Sequence, residues 1–265
     1  KSVQGLLLLM GLFLISTSGI IQGQDLPYHY GELTAPAYVE AVELAGGTAI
    51  IPAGILEKHG AHLPLSTDLI LAREISSRAA QLEYTIVYPE FYFGQIFEAK
   101  HQPGTIAYSS ELVWDILEET CEELHRNGIT KIVLVNGHGG NNNLFAYFCQ
   151  AQLEKQKEYA VFFFQPDDSE VDKHIEQLRT TDYGGHADEV ETSMVYAIRP
   201  DLVHAEVASS QSGRNQERLN LPYAYTGIWW YASFPNHYAG DGSSPNKEIG
   251  ELNLTSRAEQ LATLI

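Results

Sequence analysis

The chain has 265 residues, of which 44% are hydrophobic and 19% are charged. These values fit one folded domain with enough apolar side chains to build a core. The formal net charge is −18, which argues against nucleic acid or an anionic membrane as a partner, because both require a basic face.

The first 24 residues have the features of a secretory signal peptide. Lys1 precedes an apolar run of ten residues, 6–15, and small or polar residues follow the run. We therefore expect export to the periplasm or the outside, cleavage between residues 19 and 24, and a mature domain over 25–265 without stable membrane association. An uncleaved anchor is the alternative, although a membrane span needs about 20 apolar residues.

Short apolar runs then alternate with amphipathic stretches. The patterns predict strands over 46–52, 84–89, 132–135 and 159–164, and helices over 69–82, 111–127, 142–157 and 191–197. Residues 66–68 supply capping side chains for the first helix, and Gly128 is a typical helix terminator. This order predicts an α/β fold with a mostly parallel sheet, in which ligands bind beyond the carboxyl ends of the strands.

The two cysteines of the chain, Cys121 and Cys149, each fall in a predicted helix. A disulfide would be available to an exported protein, but two free buried thiols are the favoured interpretation. Neither cysteine has the spacing that is typical of a zinc site.

Candidate metal ligands follow two of the predicted strands. Glu57 and His59 lie two residues apart and project to one side of an extended chain, and Asp68 adds a carboxylate able to bridge two ions. His138 follows strand 132–135 in the sequence Asn-Gly-His-Gly-Gly-Asn. Carboxylate and imidazole without thiolate suit Zn²⁺, Mn²⁺ or Fe²⁺, and such a site normally activates water.

Two alternatives apply to these segments. His62 is an equally available ligand in place of His59, which would then be a structural hydrogen bonder. The glycine loop at 137–140 would otherwise cradle a phosphate near a helix N-terminus, but it lacks the Lys-Ser/Thr of a P-loop.

Two later segments add to the picture. Residues 185–191, Gly-His-Ala-Asp-Glu-Val-Glu, place His186, Glu189 and Glu191 at the start of a predicted helix; a capped helix with solvated acids is the structural alternative. Seven aromatic residues between 223 and 238 then crowd a stretch broken by proline and glycine. They form either a packed irregular region or an aromatic wall over a small planar substrate.

Taken together, the segments resemble the creatininase (creatinine amidohydrolase) family. The matching pieces are Pro-Ala-Gly at 52–54, Glu-Lys-His-Gly at 57–60, His-Leu-Pro-Leu at 62–65, Thr-Asp at 67–68, Pro-Gly-Thr at 103–105, Asn-Gly-His-Gly-Gly-Asn at 136–141 and His-Ala-x-Glu-x-Glu-Thr-Ser at 186–193. The resemblance covers nearly everything after residue 35. It implies a single three-layer α/β/α domain that binds divalent metal, hydrolyses amide-type C–N bonds and forms a homo-oligomer.

The resemblance also implies a ligand set, which by position is Glu57, His59, Asp68 and His138, with Asp68 as the bridge. Creatininase has a glutamate two residues after the ligand histidine, where this chain has Gly140.

The glutamate that creatininase has at the position of Gly140 helps to hold the second ion. In this chain, therefore, either Glu191 or Glu189 completes the second site, or only one ion binds tightly. Position 188 is Asp where the family usually has Gly, which would place an extra charge near the cleft. Both departures argue against creatinine itself as the substrate.

We therefore predict a metal-dependent amidohydrolase with one or two ions per subunit, Zn²⁺ being favoured over Mn²⁺ or Fe²⁺. The substrate would be a small cyclic amide or formamide, attacked by water whose pKa the metal lowers from about 15.7 toward about 7. His186 would move a proton to the leaving nitrogen, and Glu189 or Glu191 would orient it or bind metal. The alternatives are an exported binding protein without catalysis and a hydrolase of a cyclic ketone or lactone.

Overall fold

A sheet of four parallel strands lies at the centre of the computed structural model, which describes residues 26–265. The predicted leader lies outside the described residues. The strands are β1 (Thr48–Ala53), β2 (Ile86–Val87), β3 (Lys131–Asn136) and β4 (Ala160–Phe163). They are ordered β2-β1-β3-β4, and every pair within the described residues is parallel, which confirms the predicted α/β class with a parallel sheet.

Helices connect and cover the strands. In chain order they are α1 (Ala35–Leu44), α2 (Thr67–Leu82), α3 (Ser110–Arg126), α4 (Asn142–Ala151), α5 (Ser169–Leu178), α6 (Glu189–Ile198), the short α7 (Trp229–Ser233) and α8 (Lys247–Leu264). The predicted helices correspond to α2, α3, α4 and α6, and α3 is followed by Gly128 at φ +99°. α4 is shorter than predicted because a 3₁₀ turn, Gln152–Glu154, replaces its last residues.

Side chains of the two central strands alternate between two cores, one on each face of the sheet. Ile51 and Leu134 pack with α1, α3 and α4, whereas Ile50 and Val133 pack with α2, α6 and α8. All six residues of β1 are buried, as expected for a strand covered on both faces. The helix–sheet–helix arrangement is the predicted three-layer architecture.

The ends of β1 and β3 set up the site. Their registers pair Ala53 with Asn136, so the chain leaves both strands at the same level. The N-terminus of α2 packs directly on this edge, because Gly54 and Gly137 present no side chain to it. A Cβ on Gly137 would lie 2.1 Å from the backbone oxygen of Asp68, and one on Gly54 would lie 2.7 Å from the Asp68 Cβ.

The capping prediction for α2 is not reproduced by the structure. The Ser66 side chain makes no cap hydrogen bond, and the Thr67 hydroxyl donates backwards to the Pro64 carbonyl at 2.8 Å. Asp68 in the first turn faces the sheet edge and the histidines that follow the strands. Cys121 and Cys149 are both free, as favoured, although Cys149 is only partly buried.

Candidate active site

Buried carboxylates and imidazoles converge where α2 meets the ends of β1 and β3. Glu57, His59 and Asp68 are each at most 1% exposed, and His138 is 6% exposed. His138 Nδ1 lies 2.8 Å from Glu57 Oε1 and 3.4 Å from Asp68 Oδ2. On the other side of Asp68, His59 Nε2 lies 3.0 Å from Asp68 Oδ1. The carboxylate of Asp68 therefore faces both histidines, one with each oxygen.

Glu191, at the start of α6, completes the second half of this cluster. Its Oε1 lies 3.8 Å from His59 Nε2. Two groups of three closely spaced ligand atoms result, Glu57–Asp68–His138 and His59–Asp68–Glu191, and they share Asp68. The structure thus brings together the predicted ligands around the predicted bridge.

Hydrogen bonds on the far side of each imidazole leave the other ring nitrogen facing the carboxylates, and this nitrogen has a lone pair when the ring is neutral, as in a metal-bound histidine. His138 Nε2–H donates to the Gln95 carbonyl at 2.8 Å, and His59 Nδ1–H faces the Glu57 carbonyl at 3.3 Å. A backbone carbonyl only accepts, so each of these ring nitrogens carries the proton. Glu57 Oε1 and Asp68 Oδ2 are buried without a hydrogen-bond partner. Lone pairs facing unpartnered carboxylate oxygens fit divalent cations, whose histidine ligands typically donate their other N–H in this way.

The same groups perturb each other strongly when the protein holds no metal. Burial alone would lower the pKa of His59, but the carboxylates of Asp68 and Glu191 outweigh it and raise the pKa to about 10. Burial would likewise raise the pKa of Glu57, yet the neighbouring His138 holds this pKa well below its ordinary value. Burial raises the pKa of Glu191 to about 7. Without metal, these shifts favour a protonated His59 beside an ionised Glu57.

His186 lies beside the cluster and lines a cavity. Its ring centroid is 4.3 Å from that of His59, and Nε2–H donates to the Lys58 carbonyl at 2.9 Å. Nδ1 is therefore left without a proton in the neutral ring, 4.0 Å from Glu191 Oε2. Burial and the neighbouring His59 lower the pKa of His186 to about 3. His186 also forms a possible ligand group with Glu57 and His59.

Glu189 does not join the cluster. Its carboxylate accepts hydrogen bonds from the backbone and hydroxyl groups of Thr180 and Thr181, at 2.8 to 3.2 Å. Successive helix residues are rotated by about 100°, so Glu189 and Glu191 project from well-separated faces of α6. Of the two glutamates that were expected to act on His186, only Glu191 lies near it.

Asp188 is turned away from the cleft, contrary to expectation. It is the N-cap of α6, and its Oδ1 accepts the Glu191 N–H at 2.9 Å. The carboxylate is 8% exposed. The extra charge at this position thus stabilises the helix turn that carries Glu191, instead of facing a substrate.

His62 is likewise a structural group. It is buried, and its Nε2 lies 3.0 Å from the Thr192 hydroxyl, which also donates to the Ala187 carbonyl. This contact ties the turn after His59 to the first turns of α6. Of the two histidines considered for the cluster, the structure places His59 there.

His237 is a member of the site that sequence patterns did not reveal. It is 3% exposed, its Nε2 contacts Glu57 Oε2, and its Nδ1 accepts the Trp230 indole N–H at 2.8 Å. His237 follows no strand and lies 180 residues from Glu57 in the chain, so no local spacing could have linked them. Its position in the aromatic stretch was the one available signal.

Gly140, the position that departs from creatininase, is filled by another segment. A Cβ there would lie 2.4 Å from His138 Nε2, 2.8 Å from Gln95 Oε1 and 3.1 Å from the Gln95 carbonyl oxygen. The Gln95 segment closes over His138 at this point. Within the described residues, the second ligand group draws its carboxylate from Glu191 on the opposite side.

A cavity of about 460 Å³ opens above the cluster. Glu57, His138, His186 and His237 line it, and Tyr225, Trp229 and Trp230 form one wall. We call these three residues the aromatic wall. They occupy the place of the predicted substrate cover. The remaining lining residues are Gln95, Glu98, Gly139, Gly140, Asn143, Leu144 and Gly185. This lining contains no lysine or arginine among the described residues.

Comparison with known proteins identifies the family to which this chain belongs. Residues 31–265 match the sequence profile of the family Creatininase, described as creatinine amidohydrolase. The chain belongs to the creatininase family. It is therefore a hydrolase of that family with a candidate metal cluster, as predicted.

Curated relatives differ in the reactions that their names give. Creatinine amidohydrolase of Pseudomonas putida is 27% identical over 188 residues, which cover 65% of this chain and 72% of that protein. 3-Dehydro-scyllo-inosose hydrolase of Thermotoga maritima is 28% identical over 171 residues, 60% of this chain and 52% of that protein. The mycofactocin precursor peptide peptidase of Mycolicibacterium smegmatis is 31% identical over 98 residues, 35% of this chain and 39% of that protein.

Solved structures of the family share the fold. A creatinine amidohydrolase structure from Bacteroides fragilis superposes with a TM-score of 0.71 at 25% identity, covering 82% of this chain and 88% of that chain. A creatininase structure gives a TM-score of 0.76 at 23% identity, covering 90% and 96%. Other creatininase structures are described as Zn–Zn type or as the Mn form. Among residues 26–265, no helix is both long enough and apolar enough to span a membrane.

Proposed function

We propose that this protein is a divalent-metal-dependent amidohydrolase that cleaves a C–N bond in a small cyclic amide or formamide. The observation that carries the proposal is the pair of ligand groups that share Asp68 beneath the cavity, all of whose members are buried except the partly exposed Glu191. Glu57, Asp68 and His138 would hold one ion, and His59, Asp68 and Glu191 would hold the other. Bound ions would supply Lewis acidity, which lowers the pKa of water and polarises a carbonyl group.

The donor set favours Zn²⁺ and also admits Mn²⁺ or Fe²⁺, because it combines imidazole and carboxylate without thiolate. Relatives described as Zn–Zn type or as a Mn form support the same choice. Two groups of ligand atoms support two ions per subunit over one.

His186 is the proposed proton carrier. The Lys58 carbonyl holds its Nε2–H, so Nδ1 is the atom that exchanges protons at the cavity. The low pKa of the buried ring means that it starts neutral. Nδ1 would therefore first accept a proton from the attacking water and then give it to the leaving nitrogen. Glu191, whose Oε2 lies 4.0 Å from Nδ1, would stabilise the ring while Nδ1 carries the proton.

The aromatic wall would select flat substrates and exclude bulk water. Tyr225, Trp229 and Trp230 present extended aromatic surface on one side of the cavity, which suits a planar amide ring. Exclusion of water strengthens the electrostatic interactions of the buried cluster with a developing oxyanion.

Hydrolysis of a cyclic polyol-ketone is the second candidate. The specific observation that favours it is the similarity to the Thermotoga maritima 3-dehydro-scyllo-inosose hydrolase. A binding protein without catalysis is less well supported, because a complete buried set of ligands would then have no use.

A substrate panel separates these candidates. The metal-replete protein would be assayed against cyclic amides and formamides, and separately against cyclic polyol-ketones and lactones, with chelator-treated protein as the control. We expect metal-dependent turnover in the first set. Turnover confined to the second set would show that the protein cleaves a cyclic ketone or lactone and not an amide. Binding without turnover in either set would favour the binding protein.

Export and self-association are further proposals. The apolar run at 6–15 supports export and removal of residues 1–24, and the family resemblance supports a homo-oligomer. Mass measurement of the protein recovered from the cell exterior or periplasm tests the first: an intact leader on membrane-bound protein would favour the anchor. Light scattering of the mature protein tests the second.

A further inference from the structure

His237 lies between a buried carboxylate and an indole, and its protonation pattern follows from these two partners. The Trp230 indole nitrogen is a donor only, and it lies 2.8 Å from His237 Nδ1. Nδ1 must therefore offer a lone pair. The ring proton of neutral His237 is then on Nε2, which contacts Glu57 Oε2. A doubly protonated ring would set two N–H groups against each other at Nδ1.

The backbone of His237 is held in an unfavourable conformation. Its φ is +51°, in the left-handed region that is unfavourable for a residue with a side chain and persists where the surroundings over-determine it. The surroundings here are the two hydrogen bonds of the ring and its packing against His186, with ring centroids 4.5 Å apart. Strain of this kind is concentrated at functional sites.

Because His237 contacts one oxygen of Glu57, the two oxygens of this carboxylate have different surroundings. Oε2 receives a proton donor from His237, whereas Oε1 is buried without a hydrogen-bond partner and lies 2.8 Å from His138 Nδ1. One oxygen is thus fixed in place, and the other is directed into the ligand group with Asp68 and His138. Since the proton occupies Nε2, His237 offers no lone pair towards this group.

We propose that His237 is a positioning residue for the metal ligand Glu57, and that Trp230 fixes the tautomer in which His237 can do this. The inference rests on the metal site of the proposed function. It links the aromatic wall to the cluster beneath it, because displacement of Trp230 would free His237 to protonate Nδ1 and release Glu57. Trp230, unlike the other two residues of the wall, would therefore influence metal affinity as well as substrate contact.

Zinc affinity, measured by competition with a chromophoric chelator, tests the proposal without reference to any substrate. His237→Leu removes the donor, and we expect 10- to 100-fold weaker Zn²⁺ binding, the usual effect of losing such a partner. His237→Gln carries the same backbone strain but can place an amide N–H near the position of Nε2. It should therefore bind Zn²⁺ close to the wild-type level.

The role of the Trp230 indole is tested by comparing two tryptophan variants. Trp230→Phe removes the N–H that fixes the tautomer and should weaken Zn²⁺ binding, though less than His237→Leu, since one of the two tautomers still donates to Glu57. Trp229→Phe makes the same change in the neighbouring indole, for which no hydrogen bond is found among the described residues, and should leave the affinity unchanged.

Several results would overturn the inference. They are wild-type Zn²⁺ affinity in His237→Leu, an equal loss in His237→Gln and His237→Leu, or the same affinity in the two tryptophan variants. If His237→Leu fails to fold, the tryptophan pair still decides the matter. Wild-type protein that binds no divalent metal would defeat the proposed metal site itself, whereas wild-type protein that binds metal but cleaves no amide would leave the role of His237 standing.

Discussion

Asp68 is the residue on which the two halves of the cluster depend. Oδ1 lies 3.0 Å from His59 Nε2, and Oδ2 lies 3.4 Å from His138 Nδ1. The side chain is 2% exposed, so no water can replace it without rearrangement of the surrounding chain. Glu191, in contrast, belongs to one group only and its side chain is 20% exposed.

Asp68→Ala should therefore lower the bound divalent metal more than Glu191→Ala does, because the first change removes a ligand from both groups. Metal content per chain, measured by elemental analysis after dialysis, gives the comparison. Asp201→Asn, an exposed surface change, serves as the control. Equal metal content in wild type and Asp68→Ala would contradict the assignment of the bridge.

His186→Gln tests proton transfer at the same scale. If His186 carries the proton, the variant should keep its metal and its fold but lose about 10²–10⁴ in turnover. The loss should be smaller for substrates whose leaving group departs without a proton. Loss of metal in this variant would instead make His186 a ligand, and near-normal turnover would exclude both roles.

At the level of single residues, sequence patterns pointed to the candidate ligands that the structure brings together, but they did not reveal His237, which contacts Glu57. Glu57, His59 and His138 follow strands, so parallel-sheet topology predicts that they meet. The contact of His237 with Glu57 depends on how a long irregular segment returns to the sheet, and no periodicity encodes that path. Asp188 and Glu189 were misplaced because a sequence does not state which way a side chain at a helix start will turn.

α6 links helix stability to the site, because its N-cap bond runs to a candidate ligand. Asp188 accepts the backbone N–H of Glu191 itself. Asn246 caps α8 in a similar way, accepting the Glu248 N–H at 2.9 Å, far from any ligand in sequence. The two caps therefore form a natural comparison.

Asp188→Ala and Asn246→Ala should each lower the free energy of unfolding by about 0.5–2 kcal/mol. Only Asp188→Ala should also reduce bound metal, because it loosens the turn that carries Glu191. Denaturant unfolding and metal analysis of both variants provide the test. An unchanged metal content in Asp188→Ala would show that Glu191 is held in place by other contacts.

At the level of elements, the predicted strands and four helices were recovered because their apolar periodicity is clear. α8 was missed although it has 18 residues. Its buried face includes Gly250 and Asn253, which interrupt the apolar pattern. Gly250 is small because α8 packs tightly on α6, where a Cβ would lie 2.1 Å from the Ser193 carbonyl oxygen.

Stability of the whole molecule should depend on pH in opposite ways with and without metal. In metal-free protein the pKa of His59 is raised to about 10 from an ordinary value of 6.5, so its stabilising contribution is complete below about pH 6.5 and is lost as the pH rises towards 10. The pKa of Glu191 is raised from 4.5 to about 7, so the stability of the metal-free protein also falls as the pH rises through this range. The lowered pKa of Glu57 contributes stability above its ordinary value of 4.5 that is lost in acid.

Chelator-treated protein should therefore unfold at lower denaturant concentration at pH 9.5 than at pH 6. The metal-loaded protein should gain stability relative to the metal-free form over the same interval, because ligand histidines must be deprotonated to bind. Unfolding midpoints of both forms at the two pH values test this. The same pH trend in both forms would show that the cluster does not control stability.

The sequence separation of 180 residues from Glu57 to His237 also affects the order in which the site is completed during synthesis. A chain emerging from the ribosome would present Glu57 and His59 early, then His138, and Glu191 and His237 much later. No partly synthesised chain could assemble the cavity, so the site would be complete only after nearly the whole chain has been made. Long-range closure of this kind acts as a built-in delay between synthesis and catalysis.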